Sequence, residues 1–126
     1  MLFRSALDYI AANLDAPTVV LHYPSHRELV RELRKGPAFV GVSFNLVTFH
    51  RMKEVVALVR KYAPAAKIVL GGYGTVLDDR TLAPFGDHIC REEGVGFMRA
   101  LLGEPDRKST RLNSSHIQKS RMPSSA

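Results

Sequence analysis

Two short runs, Ala38-Phe-Val-Gly-Val-Ser43 and Lys67-Ile-Val-Leu70, are apolar on both faces of an extended chain. A strand with one face in water alternates apolar with polar residues; a parallel strand covered by helices on each side does not. Between the runs, Phe49 to Tyr62 has the spacing of a helix. Met52, Val55, Val56 and Val59 make its apolar stripe, and Arg51, Lys53, Arg60 and Lys61 its wet face. A strand, a helix and a second strand in that order form a parallel pair joined by a right-handed crossover.

The alternation continues in both directions. Leu7, Ile10, Ala11 and Leu14 have helical spacing, and Pro17 stops that helix. Thr18-Val-Val-Leu-His22 is β-branched and reads as a buried strand. Ser25, with Glu28 three residues on, makes a capping box for a helix over His26–Lys35, which Gly36-Pro37 ends. A short helix is expected around Asp79–Ala83, a fourth strand at His88-Ile-Cys-Arg91, and a last helix from Gly94 to Leu102. The order α-β-α-β-α-β-α-β-α predicts an α/β, Rossmann-like domain with a doubly wound parallel sheet, four strands of which lie in this chain.

Composition limits what such a domain does. A hydrophobic fraction of 45% supports a core. No run of ~18 apolar residues is present to span a membrane, and no signal-peptide pattern opens the chain. Cys90 is the only cysteine. It leaves no disulfide framework and fits a reducing, cytoplasmic setting. The net charge of +6 points at first to nucleic acid. Its distribution does not. Five basic residues and one acid lie in 106–126, and Arg4 adds one positive charge, which leaves +1 for Ala6–Pro105. A near-neutral body predicts no nucleic-acid partner.

The ends differ in kind from the body. From Asp106 on, Leu112, Ile117, Met122 and Ala126 are the only apolar residues, too few to offset the entropy of ordering, so a disordered tail is expected. The eleven residues Asp106-Arg-Lys-Ser-Thr-Arg-Leu-Asn-Ser-Ser-His116 resemble the translation of a synthetic adapter used in short-read DNA sequencing. Lys119-Ser-Arg-Met-Pro-Ser-Ser-Ala126 continues the same oligonucleotide, and Leu2-Phe-Arg-Ser5 matches the end of the opposing adapter. The expected division is therefore 1–5 adapter-derived, 6–105 the domain, cut at both sides, and 106–126 an adapter-derived tail.

In open α/β sheets ligands bind beyond the carboxyl ends of the strands. Three loops lie there: Ser43-Phe-Asn-Leu-Val-Thr48, Gly71-Gly-Tyr-Gly-Thr75 and Glu92-Glu-Gly94. Ser43 and Asn45 offer a hydroxyl and an amide for a polar substituent. The glycines of the second loop let a flat or bulky ligand approach the backbone. Gly72-x-Gly74 is not a dinucleotide fingerprint, because Leu77 stands where the third glycine belongs. A phosphorylated receiver needs an aspartate where Ser43 stands. His22, His26, His50 and His88 have no metal-ligand spacing, and no three-cysteine cluster for an iron–sulfur centre is present. No catalytic residue and no metal ligand is assigned.

Val40-Gly-Val-Ser43, Lys67-Ile-Val-Leu-Gly-Gly72 and Gly86-Asp-His-Ile-Cys-Arg-Glu-Glu-Gly94, with 28 positions from Ser43 to Gly71, carry a resemblance. In order and spacing they resemble the cobalamin-binding domain found ahead of radical S-adenosylmethionine enzymes, over roughly Ala6 to Glu104. Asn45 and Glu92 depart from the family pattern, standing where Leu and Gly are usual. The resemblance implies a flavodoxin-like sheet whose first, central strand would precede Ala6 and is missing. It implies a corrinoid held by Ser43, Phe44, Asn45, Thr48, Gly71, Gly72, Tyr73, Gly74, Glu93 and Gly94. It also implies that the cofactor is cobalamin. An iron–sulfur cluster and S-adenosylmethionine would belong only to a downstream radical-enzyme domain absent here, and the fragment alone would be inactive. The residues by themselves also fit a flavodoxin-like regulatory or interaction domain that binds no cofactor.

Overall fold

The computed structural model describes residues 6–105. The expectations for residues 1–5 and 106–126 lie outside the described residues. In chain order the elements are α1 (Ala6–Ala12), α2 (His26–Leu33), β1 (Phe39–Ser43), α3 (Phe49–Tyr62), β2 (Lys67–Gly71), a 3-10 turn (Tyr73–Val76), α4 (Asp79–Leu82), β3 (His88–Ile89) and α5 (Gly94–Leu102). The described residues form two compact units, one of 6–29 with 92–105 and one of Val30–Arg91.

The unit Val30–Arg91 holds the sheet. Its three strands are parallel in the order β1-β2-β3. Phe39 stands opposite Lys67 and Ser43 opposite Gly71, while Val69 faces His88. β2 is the middle strand, and Ile68, Val69 and Leu70 are all buried. That is why its sequence shows no alternation. α3 packs against β1, and Met52, Val56 and Val59 of its stripe are buried. Ala63 ends α3 by donating its N–H to Val59 O, one residue before Pro64. At the end of α2, Gly36 takes φ +74°, the left-handed conformation that closes a helix most easily without a Cβ.

The expected strand Thr18–His22 does not form, so among the described residues the sheet has three strands rather than four. β-Branched residues favour a pleated surface by only about 1 kcal/mol at most. A strand persists only where a neighbour pairs with its backbone. Pro17 and Pro24 flank this run and remove donors, and Thr18 turns its hydroxyl back to Ala16 O at 2.9 Å. β3 is also shorter than the expected His88–Arg91. Cys90 N–H still donates to Leu70 O at 2.8 Å, but the Arg91 side chain reaches loop carbonyls.

Asp87 fastens the start of β3 to β2. Its N–H donates to Ile68 O and its carboxylate accepts Ile68 N–H, both at 2.8 Å. The Ile68 N–H, with the Arg60 guanidinium beyond it at 3.5 Å, holds the carboxyl below the ordinary aspartate value of 3.8. A lowered folded value means that this stabilisation is present above pH 3.8 and is lost as pH falls through the folded value. Asp87→Asn should therefore lower unfolding stability by about 1 kcal/mol at pH 7. Urea midpoints for the two proteins, compared at pH 7 and at a pH well below the ordinary aspartate range, should differ at the first and converge at the second. A gap that stays constant between the two pH values would refute this.

The other unit pairs α1 with α5. A Cβ on Gly94 would stand 2.5 Å from Ile10 Cδ1, so the two helices pack closely at this glycine. Arg99, only 3% exposed, donates Nε and Nη2 to Asn13 O at 3.2 and 3.0 Å. Glu104 accepts the N–H groups of Asp15 and Ala16 at 2.8 and 3.0 Å. Arg99 of α5 and Glu104 just beyond it thus bond backbone groups past the end of α1. The capping box forms as its spacing predicts: Ser25 N–H donates to Glu28 Oε1, and Glu28 N–H to Ser25 Oγ. Among the described residues no helix is long and apolar enough to cross a membrane.

Candidate functional site

The parallel register sets the loops after β1 and β2 side by side at the carboxyl end of the sheet. Phe44 locks them together. Its N–H donates to Gly71 O at 3.1 Å, and its carbonyl accepts Gly74 N–H at 2.9 Å. The residue is 5% exposed, and its ring packs on Phe49, which meets Phe85 edge-on. A Cβ on Gly74 would lie 2.1 Å from Phe44 Cε2, so this glycine is filled by the protein's own ring. Phe44 is therefore a core residue beneath the loops.

The polar candidates of the first loop bond to each other. Asn45 N–H donates to Thr48 Oγ1, and Thr48 N–H to Asn45 Oδ1, both at 2.9 Å. This reciprocal pair fixes the entry into α3. Ser43 is exposed at the tip of β1. In the second loop, Gly72 takes φ +88°, ψ −173° and starts the 3-10 turn. Thr75 is buried and bonds Gly72 O through both its N–H and its hydroxyl. Gly71 differs from its neighbours: a Cβ there would meet nothing within 4 Å, so open space lies beside the backbone.

These loops also hold four large apolar side chains in water. Leu46 is 58% exposed, Val47 82%, Tyr73 86% and Val76 74%. Scattered exposed apolar residues are ordinary, but four of them on two loops joined at one end of the sheet make a candidate contact surface. Leu46, Val47 and Val76 lie outside the residue types that loop chemistry singles out. Their signal in the sequence is a set of bulky apolar residues in segments with neither helical nor strand period.

Arg91 and the start of α4 close the far side of the turn. Arg91 Nε donates to Thr75 O and Nη2 to Leu77 O, each at 2.8 Å, while Nη1 pairs with Asp79. Asp78 caps α4 by accepting Thr81 N–H at 2.9 Å, and hydrogen bonds from the Thr81 side chain and backbone hold its carboxyl below the ordinary range.

Glu93 and Gly94 belong to the unit that contains α1 and α5. There the Glu93 carboxylate accepts the N–H groups of Val95 and Gly96 and caps α5. Gly94 is the residue pressed against Ile10. Both have clear structural work in that unit. Among the described residues no group of three or more His, Cys, Asp or Glu is placed to hold a metal ion.

A family model described as B12 binding domain matches residues 4–102. No curated protein and no solved structure matches the chain.

Proposed function

The chain belongs to the B12 binding domain family, and from that premise we propose that it is the cobalamin-binding module of a larger radical S-adenosylmethionine enzyme, without activity by itself. The exposed apolar cluster at the carboxyl ends of β1 and β2 carries the reading. A corrinoid presents a broad ring with apolar faces and a periphery of amides. Leu46, Val47, Tyr73 and Val76 match the first, and the hydroxyl of Ser43 and the amide of Asn45 match the second. The open space beside Gly71 lets a flat group come close to the backbone. Residues in direct contact would be Ser43, Asn45, Gly71, Gly72 and Tyr73, with Phe44, Thr48 and Gly74 behind them. Glu93 and Gly94 join the set on family pattern alone.

When bound, the corrinoid supplies the making and breaking of a cobalt–carbon bond. The residues of this chain bind and orient it and exclude water from the ring face they cover. The iron–sulfur cluster and S-adenosylmethionine belong to a further domain of the parent enzyme.

The edge position of β1 and the lack of a ladder at Thr18–His22 support a first strand that lies upstream of Ala6. The composition of 1–5 and 106–126 supports a foreign origin for both ends. Reading the native gene through these points tests both ideas. A β-branched run before Ala6 and a Cys-x-x-x-Cys-x-x-Cys after Pro105 are expected. A native gene that encodes Asp106–His116 as printed would sink the foreign-end reading.

A second reading, a flavodoxin-like regulatory or interaction domain without cofactor, draws on the way the loops satisfy themselves. Asn45 and Thr48 bond each other, and Phe44 fills the space between the loops. Titration of the purified chain with hydroxocobalamin separates the two. The first reading expects shifted visible bands and retention of the pigment through gel filtration, with a Kd of about 10 μM or tighter. Complete loss of pigment from the protein fraction would favour the second.

A further inference from the structure

We propose that Arg91 is a positioning residue that holds the turn after β2 in the shape that presents Tyr73 and Val76 to the ligand. The proposal rests on the reading of these loops as a corrinoid cradle. The turn has an unusual burden: Tyr73 is 86% and Val76 74% exposed, though both are bulky and apolar. A flexible segment would fold such side chains onto the protein. This one is held from two sides. On one side Gly74 N–H donates to Phe44 O in the loop after β1, and within the turn Thr75 N–H donates to Gly72 O and Leu77 N–H to Gly74 O. These bonds use the N–H groups of Gly74, Thr75 and Leu77 and the carbonyls of Gly72 and Gly74, and the carbonyls of Thr75 and Leu77 go to another partner.

Arg91 is that partner. Nε takes Thr75 O and Nη2 takes Leu77 O, each at 2.8 Å, and Nη1 pairs with Asp79 at the start of α4. The three nitrogens are fixed in one plane, so the two carbonyls must keep one relative orientation to receive both bonds. A lysine ammonium can reach one carbonyl but cannot impose that orientation. Arg91 is anchored in turn by its place beside the ladder: Cys90 N–H bonds Leu70 O in β2. The end of the third strand therefore sets the shape of the loop that leaves the second.

The Arg91 side chain is 43% exposed and lies outside the core. Its role can be separated from folding for that reason. In the full chain, Arg91→Lys should leave the urea midpoint nearly unchanged while weakening hydroxocobalamin binding about ten-fold, because a looser cradle must be ordered on binding. Hydrogen exchange at the amides of Gly74, Thr75 and Leu77 should quicken about ten-fold, with Ile68–Leu70 in β2 unaffected. Asp79→Asn keeps both carbonyl bonds and should show a smaller effect in each assay. Wild-type affinity and wild-type exchange in Arg91→Lys would overturn the proposal and leave the cobalamin reading standing. Failure of the wild type to retain cobalamin overturns the cradle reading, and with it the ligand role given to Arg91. A fall in urea midpoint that matches the affinity loss would also overturn it, since Arg91 would then be a plain stability residue.

Discussion

Alanine at Gly72 will destabilise the chain by about 3 kcal/mol or more, whereas alanine at the adjacent Gly71 will change its stability by less than about 0.5 kcal/mol. The two residues are neighbours in one loop, yet their surroundings are opposite. Gly72 has φ +88° and ψ −173°, a region almost closed to residues with a Cβ. A Cβ there would also stand 2.6 Å from Phe44 O, 2.8 Å from Ser43 Oγ and 3.0 Å from Phe44 N. The serine hydroxyl can rotate away, but the two backbone atoms cannot. Phe44 N–H is bonded to Gly71 O and Phe44 O to Gly74 N–H. Relief of the clash would break the bonds that join the two loops. At Gly71 nothing lies within 4 Å of a Cβ, so alanine meets only open space. Urea unfolding followed by circular dichroism tests the contrast. Equal midpoints for the two variants would show that the loop does not have this geometry. Cobalamin retention sharpens it, because a methyl group at Gly71 intrudes where the ligand is proposed to approach, and so impairs binding in a protein of normal stability.

Much of this fold was legible because local rules and packing agreed. The α3 stripe at Met52, Val56 and Val59 is buried as its period demands. The Ser25–Glu28 box forms both of its bonds, and the doubly apolar β2 is the middle strand. Thr18–His22 misled because β propensity measures fit to a neighbour, and the run has none in its ladder. The candidate site was half legible. Glycine spacing located the loop after β2, but glycine alone does not reveal whether a ligand or a protein ring fills the space. Gly71 opens outward while Gly74 is packed by Phe44, two residues beyond the reach of any pattern. Arg91 was invisible for a similar reason: its partners are backbone carbonyls 14 and 16 positions away, and carbonyls carry no sequence signal.

Val47→Asp should weaken cobalamin binding by about 30-fold or more while leaving the fold intact. Val47 is 82% exposed and sits in the loop between β1 and α3, so its side chain contributes little to the core. If a ring face covers it, full burial of a valine is worth roughly 1.5–3 kcal/mol, and an aspartate forfeits that and adds the desolvation of a charge. Leu46→Asp and Val76→Asp should act in the same direction, the first more weakly because Leu46 is 58% exposed and so has less surface left to bury. Ala57→Asp on the exposed side of α3 is the matched control, an apolar-to-acid change away from the strand ends. Its affinity should equal that of the wild type. The decisive comparison is between Val47→Asp and this control in one hydroxocobalamin titration, with urea midpoints measured on both. Equal affinities would remove the apolar cluster from the ligand site and leave the two exposed loops as a surface for some other partner. A Val47→Asp protein that binds poorly at unchanged stability would place the covered ring face over the loop after β1.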